Sequence, residues 1–125
     1  MTVSETFRDL TSQLDMPADS ATVKRPFIFA ELNDLLTAAA GEQIERLPAP
    51  ALADPRSANY VAAMVELAAH LKRVFPPAWT SAIAPLERPM FAVPWLSMRA
   101  HLLLESPVPF RRRNIFIDSS IGARV

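Results

Sequence analysis

Apolar residues recur at helical spacing in several stretches of this chain. Val3, Phe7, Leu10 and Leu14 fall on one stripe. That spacing predicts a first helix, capped by Ser4 and running to about Asp15. The stretch "DMPADSATVKR" then interrupts the pattern. A second helix is predicted from Pro26, because the fixed φ of proline suits a first helical position. Phe27, Ile28, Leu32, Leu35, Leu36 and Ala39 share its apolar face, and Glu31, Asp34 and Glu42 lie elsewhere. Gly41 is expected to end this helix as a left-handed cap. The connector "LPAPALADP" that follows has too much proline for regular structure.

Asp54-Pro55 reads as an N-cap followed by proline in the first turn. It opens a third helix expected to reach about Phe75, with Val61, Met64, Val65, Ala68, Leu71 and Phe75 on its apolar face. Pro76-Pro77 should stop it. The segment "AWTSAIAPLERPMFAVP" allows no more than a turn or two. Its apolar members, among them Trp79, Ile83, Leu86 and Phe91, are expected to cover the core. A fourth helix is predicted over Pro94–Glu105, apolar except for Ser97, His101 and Glu105 on one stripe and Arg99 to one side. Such a pattern marks a central, buried helix. Ile115-Phe116-Ile117 favours a short strand or extended tail over residues 114–118. The expected fold is all-α: one small helical domain over 1–125, with about four helices, proline-rich connectors and a short C-terminal strand.

Composition supports that picture. The 125 residues are enough for one core. Twenty alanines against two glycines favour helix, so the twelve prolines must lie between helices. Charge divides the chain. Residues 1–55 carry nine acids and four bases, a net of −5. Residues 56–125 carry four acids and nine bases, a net of +5. The halves can attract each other within one fold, join copies into a homo-oligomer, or present opposite faces to partners.

Several function classes fall away. With no cysteine there is no disulfide, thiolate metal site or cysteine nucleophile. No apolar run approaches the ~18 residues of a membrane span. The start, "MTVSETFRDL", has no apolar signal-peptide core. A cytoplasmic location is expected. Two glycines cannot build a phosphate-cradling loop. Ser97 and His101 share a helix face, but no aspartate stands near them in sequence and no glycine turn presents the serine. We expect no enzyme, no catalytic residues and no cofactor.

Two pairs could hold a metal. Glu66 and His70 are four apart on the third helix, and His101 and Glu105 are four apart on the fourth. Facing each other, they would offer two carboxylates and two imidazoles to Zn²⁺ or iron. Bundle sites typically use a spacing of three, however. Two local carboxylate–imidazole pairs are the expected outcome, with Glu66 and His70, opposite the apolar face of their helix, facing water.

The stretch "PFRRRNIFID" carries the sharper signal. If 110–117 is extended, Phe110, Arg112, Asn114 and Phe116 face one way and Arg111, Arg113, Ile115 and Ile117 the other. Neither side is purely basic. Arginine beside phenylalanine suits an acidic protein surface or a single-stranded nucleic acid. The blander alternative is that the arginine stems cover the core edge and their heads sit in water. Against nucleic acid stands the zero net charge, since affinity there rises with the number of phosphates neutralised. Trp79, in "FPPAWT", reads as a core anchor before a partner contact.

"DPRSANYVAAMVELAAHLKRVFPPAWT" and "WLSMRAHLLLESPVPFRRRNIFIDSS" together resemble the C-terminal region of small bacterial proteins of unassigned activity. Pro-Pro-Ala-Trp at 76–79, Arg99-Ala100 and "ESPVPFRRRNIFI" carry the resemblance, which covers about the last half of the chain. Such proteins look like antitoxins or regulators paired with nucleotidyltransferase-like toxins, and in them a helix-turn-helix often precedes this region. Here the first 55 residues are acidic, and the connector between helices one and two is too long for that motif. DNA binding is therefore not carried over. What the resemblance implies is partner holding by Pro107, Pro109, Phe110, Arg111, Arg112, Arg113, Asn114 and Phe116. The resulting expectation is a non-catalytic protein-binding module, antitoxin-like or regulatory, whose partner presents an acidic surface. The alternative is a nucleic-acid-binding accessory protein using the 110–116 segment.

Overall fold

A computed structural model of the chain describes residues 2–15, 18–88, 90–91 and 108–116. The fold is mostly helical, as the hydrophobic pattern predicts. Helix α1 spans Val3–Ser12 and a 3₁₀ turn continues it over Gln13–Asp15. Its cap is Thr2 rather than Ser4. The Thr2 hydroxyl accepts from the Glu5 N–H at 3.1 Å, and the Glu5 carboxylate accepts from the Thr2 N–H. This reciprocal box satisfies two donors that a helix start leaves unpaired.

Helix α2 spans Ala18–Ala38. It begins eight residues before Pro26, which the sequence placed as its first residue. Pro26 lies inside this helix, although its ring nitrogen donates no hydrogen bond. Ile28, Leu32, Leu36 and Ala39 are buried, whereas Phe27 is 67% exposed. The buried set follows spacings of four, four and three, which leaves Phe27 on the other face with Glu31 and Asp34.

Helix α3, Gly41–Glu45, follows at once. Gly41 is thus the first residue of a helix and not a left-handed cap. Its reason is space: a Cβ built there would lie 2.7 Å from Val74 Cγ1. The connector 47–54 is irregular, as expected.

Helix α4, Pro55–Leu71, is capped as predicted, with the Asp54 carboxylate accepting from the Arg56 N–H at 3.0 Å. It is the axis of the fold, packing on α2, α3 and two short helices, α5 (Trp79–Ala82) and α6 (Val108–Arg111). Val61, Ala62, Ala63, Met64, Val65, Ala68 and Ala69 are all buried. The alanines let neighbouring helices approach its backbone on several sides. The helix ends at Leu71, before the double proline. Arg73 adopts a left-handed φ of 57°, its N–H donates to the His70 carbonyl, and the Val74 N–H reaches back to Ala69. This is a Schellman cap with arginine where glycine is usual. Phe75, placed by periodicity on the buried face, is therefore off the helix and 86% exposed.

Two short strands, β1 (Met90–Phe91) and β2 (Ile115–Phe116), pair in parallel, with Met90 opposite Ile115. One apolar cluster runs from Phe7 and Leu14 through α2, α3 and α4 to Phe110 and Ile115. The acidic and basic halves of the sequence thus share a core. Each fully buried Leu, Ile or Phe in it contributes roughly 1.5–3 kcal/mol. The predicted fourth helix, Pro94–Glu105, lies outside the described residues. Among those described, no helix is long and apolar enough to cross a membrane.

Candidate functional site

The arginine run does not lie in one extended segment. Residues 108–111 are helical, 112–114 turn, and only Ile115 and Phe116 are extended. The alternation expected for a strand is lost, and the three arginines part company. Arg111 and Arg112 are exposed. Arg113 is 5% exposed and enters the interior.

All five N–H donors of Arg113 are used. Nε donates to Glu66 Oε1 at 2.9 Å and Nη2 to Glu66 Oε2 at 3.1 Å, a bidentate pair. Nη1 donates to Asn59 Oδ1 at 2.9 Å and to the Ile83 carbonyl at 3.1 Å. Nη2 also donates to the Thr80 carbonyl. The guanidinium fork therefore ties α4 to both ends of the 80–83 turn. Asn59 is buried and completes the network by donating to the carbonyls of Pro55 and Ala84, each at 3.0 Å. A buried arginine is tolerable only when paired and fully hydrogen-bonded, and here it is both.

Several expectations are corrected by this geometry. Arg113 is a structural hub, 5% exposed with its donors spent inside the fold. Phe110 is 0% exposed and meets Tyr60 edge to face with centroids 5.4 Å apart, so it is core. Asn114 is half-buried. It takes the left-handed turn position at φ 62° and donates from Nδ2 to the Leu86 carbonyl. Asparagine is the residue that tolerates this conformation best after glycine. Trp79 is half-buried, donates from Nε1 to the Leu47 carbonyl at 2.8 Å and packs on Phe7. Phe116 belongs to β2, and its side chain lies outside the described residues. Pro109 is half-buried in α6, and Pro107 lies outside the described residues.

The metal expectation divides in the same way. Glu66 does not face water: its side chain is 13% exposed and spent on Arg113. His70 is exposed. His101 and Glu105 lie outside the described residues, and among those described no three suitable ligands gather.

A groove of about 670 Å³ runs between the C-terminal part of α4, the 74–81 segment and α6. Glu66, His70, Ser81, Val108 and Arg112 line it with Pro76 and Pro77. Ser81, His70 and Glu66 thus share one hollow, a juxtaposition invisible in sequence. Yet the Ser81 hydroxyl donates to the Ala78 carbonyl at 2.9 Å, and Glu66 holds Arg113. Neither is poised for nucleophilic chemistry, which needs the serine hydroxyl given to a base. Val108 on the groove's wall is 51% exposed, and Phe75, in the chain between the lining residues Val74 and Pro76, is exposed too. Arg112 on its lining is exposed, as are its chain neighbour Arg111 and, in the turn after α4, Arg73. No family model, curated protein or solved structure matches the chain.

Proposed function

We propose that the chain is a non-catalytic protein-binding module, the antitoxin-like or regulatory half of a pair. The observation that carries this reading is the groove beside α6, lined by the exposed Val108 and Arg112, with the exposed Phe75 lying in the chain between its lining residues Val74 and Pro76. Its occupant would be an acidic partner segment that also carries apolar side chains. Charge argues for that class, because Glu66, the carboxylate among the groove's described lining residues, is neutralised by Arg113, whereas Arg112 on the same lining is exposed. Aromatic and arginine residues dominate binding surfaces for the same reason: a large apolar area joined to a directional cation.

The test keeps Arg113 intact, since replacing it perturbs the fold. Arg111→Glu/Arg112→Glu and Phe75→Asp variants are compared with wild type in capture from the native host, after circular dichroism shows equal helicity. The captured protein is then purified and titrated. A partner bound by wild type and weakened tenfold or more by either variant supports the module. Equal binding by all three refutes this surface. Recovery of nucleic acid alone, with affinity falling steeply as salt rises, would replace the reading with a nucleic-acid one.

A further inference from the structure

A second hollow, of about 180 Å³, lies between α2 and α4 and is lined by Asn33, Leu36, Thr37, Met64, Leu67, Ala68, Leu71 and Lys72. Its walls are helical stripes. Asn33, Leu36 and Thr37 fall on one face of α2, and Met64, Leu67, Ala68 and Leu71 on one face of α4. Five of the lining residues are apolar, and Asn33, Thr37 and Lys72 bring polar groups to it. Asn33 is 9% exposed, yet among the described residues no hydrogen bond is made by its side-chain amide. Its backbone carbonyl accepts from the Thr37 hydroxyl at 2.7 Å. Most buried side-chain polar atoms in folded proteins have a hydrogen-bond partner, so an open amide calls for an explanation.

We infer that this hollow is a binding site for a small amphiphilic carboxylate. Size sets the tail: a cavity of about 150 Å³ takes one benzene, so about 180 Å³ suits a ligand of roughly eight heavy atoms. Chemistry sets the head. Asn33 offers two amide protons. Lys72 donates one of its three ammonium protons to the Thr37 carbonyl at 2.8 Å and keeps two. An ionised carboxylate accepts only, and it matches donors from both residues while meeting a positive charge at the Lys72 side. The aliphatic tail would lie against Met64, Leu67 and Leu71. The inference does not rest on the protein-binding reading, although Leu67 lines both hollows.

Sodium hexanoate is the probe, titrated into the full chain while the ¹³C-methyl resonance of Met64 is followed. A saturable shift at millimolar concentration is expected, with a matching rise in melting temperature. Asn33→Leu fills the hollow and removes the unpaired amide; it should melt higher than wild type and bind hexanoate at least tenfold more weakly. Lys72→Met keeps the hollow and should weaken hexanoate several-fold while leaving hexan-1-ol unchanged. The inference is overturned if Met64 does not respond, or if Asn33→Leu binds as well as wild type. It is also overturned if Asn33→Leu melts lower, which would mean that bound water already satisfies the amide in a purely structural role. Equal loss of hexanol and hexanoate in Lys72→Met would remove the carboxylate from the assignment.

Discussion

Replacing Arg113 by methionine should be the most damaging single change in the described part of the chain. The methionine keeps much of the stem's volume but removes five donors. Glu66 is left as a nearly buried carboxylate without its partner, and Asn59 Oδ1 and the carbonyls of Thr80 and Ile83 lose theirs. Breaking a buried pair from one side costs about 3–5 kcal/mol, because the remaining charge stays desolvated. Adding a full hydrogen-bond energy for each of the five contacts would exceed the stability of many domains, so the contacts cannot be summed independently. Glu66 is 13% exposed and can recruit some water, which argues for the lower part of the range. We expect about 3–4 kcal/mol, or a fall in melting temperature of about 15 °C for a chain of this length.

The assay is urea unfolding followed by circular dichroism, with the slope checked for constancy between variants. Arg111→Ala and Arg112→Ala are the internal controls, and each should lie within about 0.5 kcal/mol of wild type. Arg113→Lys should still lose about 2 kcal/mol or more, because an ammonium cannot make the planar bidentate pair. Adding Glu66→Leu to Arg113→Met should restore part of the loss by removing the stranded carboxylate. If Arg113→Met is as mild as the two controls, the buried hub does not exist in solution and the division of the arginine run is wrong.

Tyr60 is the chain's single tyrosine, and burial pushes its phenol up to about 12. The unfolded chain ionises first, near 10, so this contribution to stability is whole below pH 10 and is lost as pH rises towards 12, about 2–3 kcal/mol in all. Absorbance of tyrosinate should show a midpoint near 12 in the native protein and near 10 in urea; a native midpoint near 10 with helicity intact would contradict the burial. Gly41→Ala should destabilise by about 1–2 kcal/mol in thermal melts despite alanine's better helix propensity, since its methyl meets the stiff Val74 side chain; a stabilised variant would show that Val74 moves freely. Arg73→Gly should stabilise by about 1 kcal/mol by relieving the left-handed backbone, and a loss of stability would mean that the arginine side chain contributes more than its backbone strain removes.

The helical class, the cap and start of α4, the irregular connector before it and most of the core of α2 and α4 were legible in the sequence. Each rests on local rules: apolar period, an Asp-Pro start, the exclusion of proline from regular structure. Boundaries were less legible where the chain departs from local preference. Helix α2 accepts Pro26 inside it, and α4 stops at an arginine in a left-handed turn while the double proline still lies ahead. "PFRRRNIFID" shows the limit most sharply. Its composition announces three equivalent cations, because sequence records charge but not depth. Which arginine turns inward depends on where Glu66, Asn59 and the Thr80 and Ile83 carbonyls stand, and those come from segments 30 to 54 residues away. The same holds for the two hollows. Asn33 and Lys72 look like ordinary helix residues until two helix faces meet, and only that meeting leaves one amide buried without a partner and a lysine at its side.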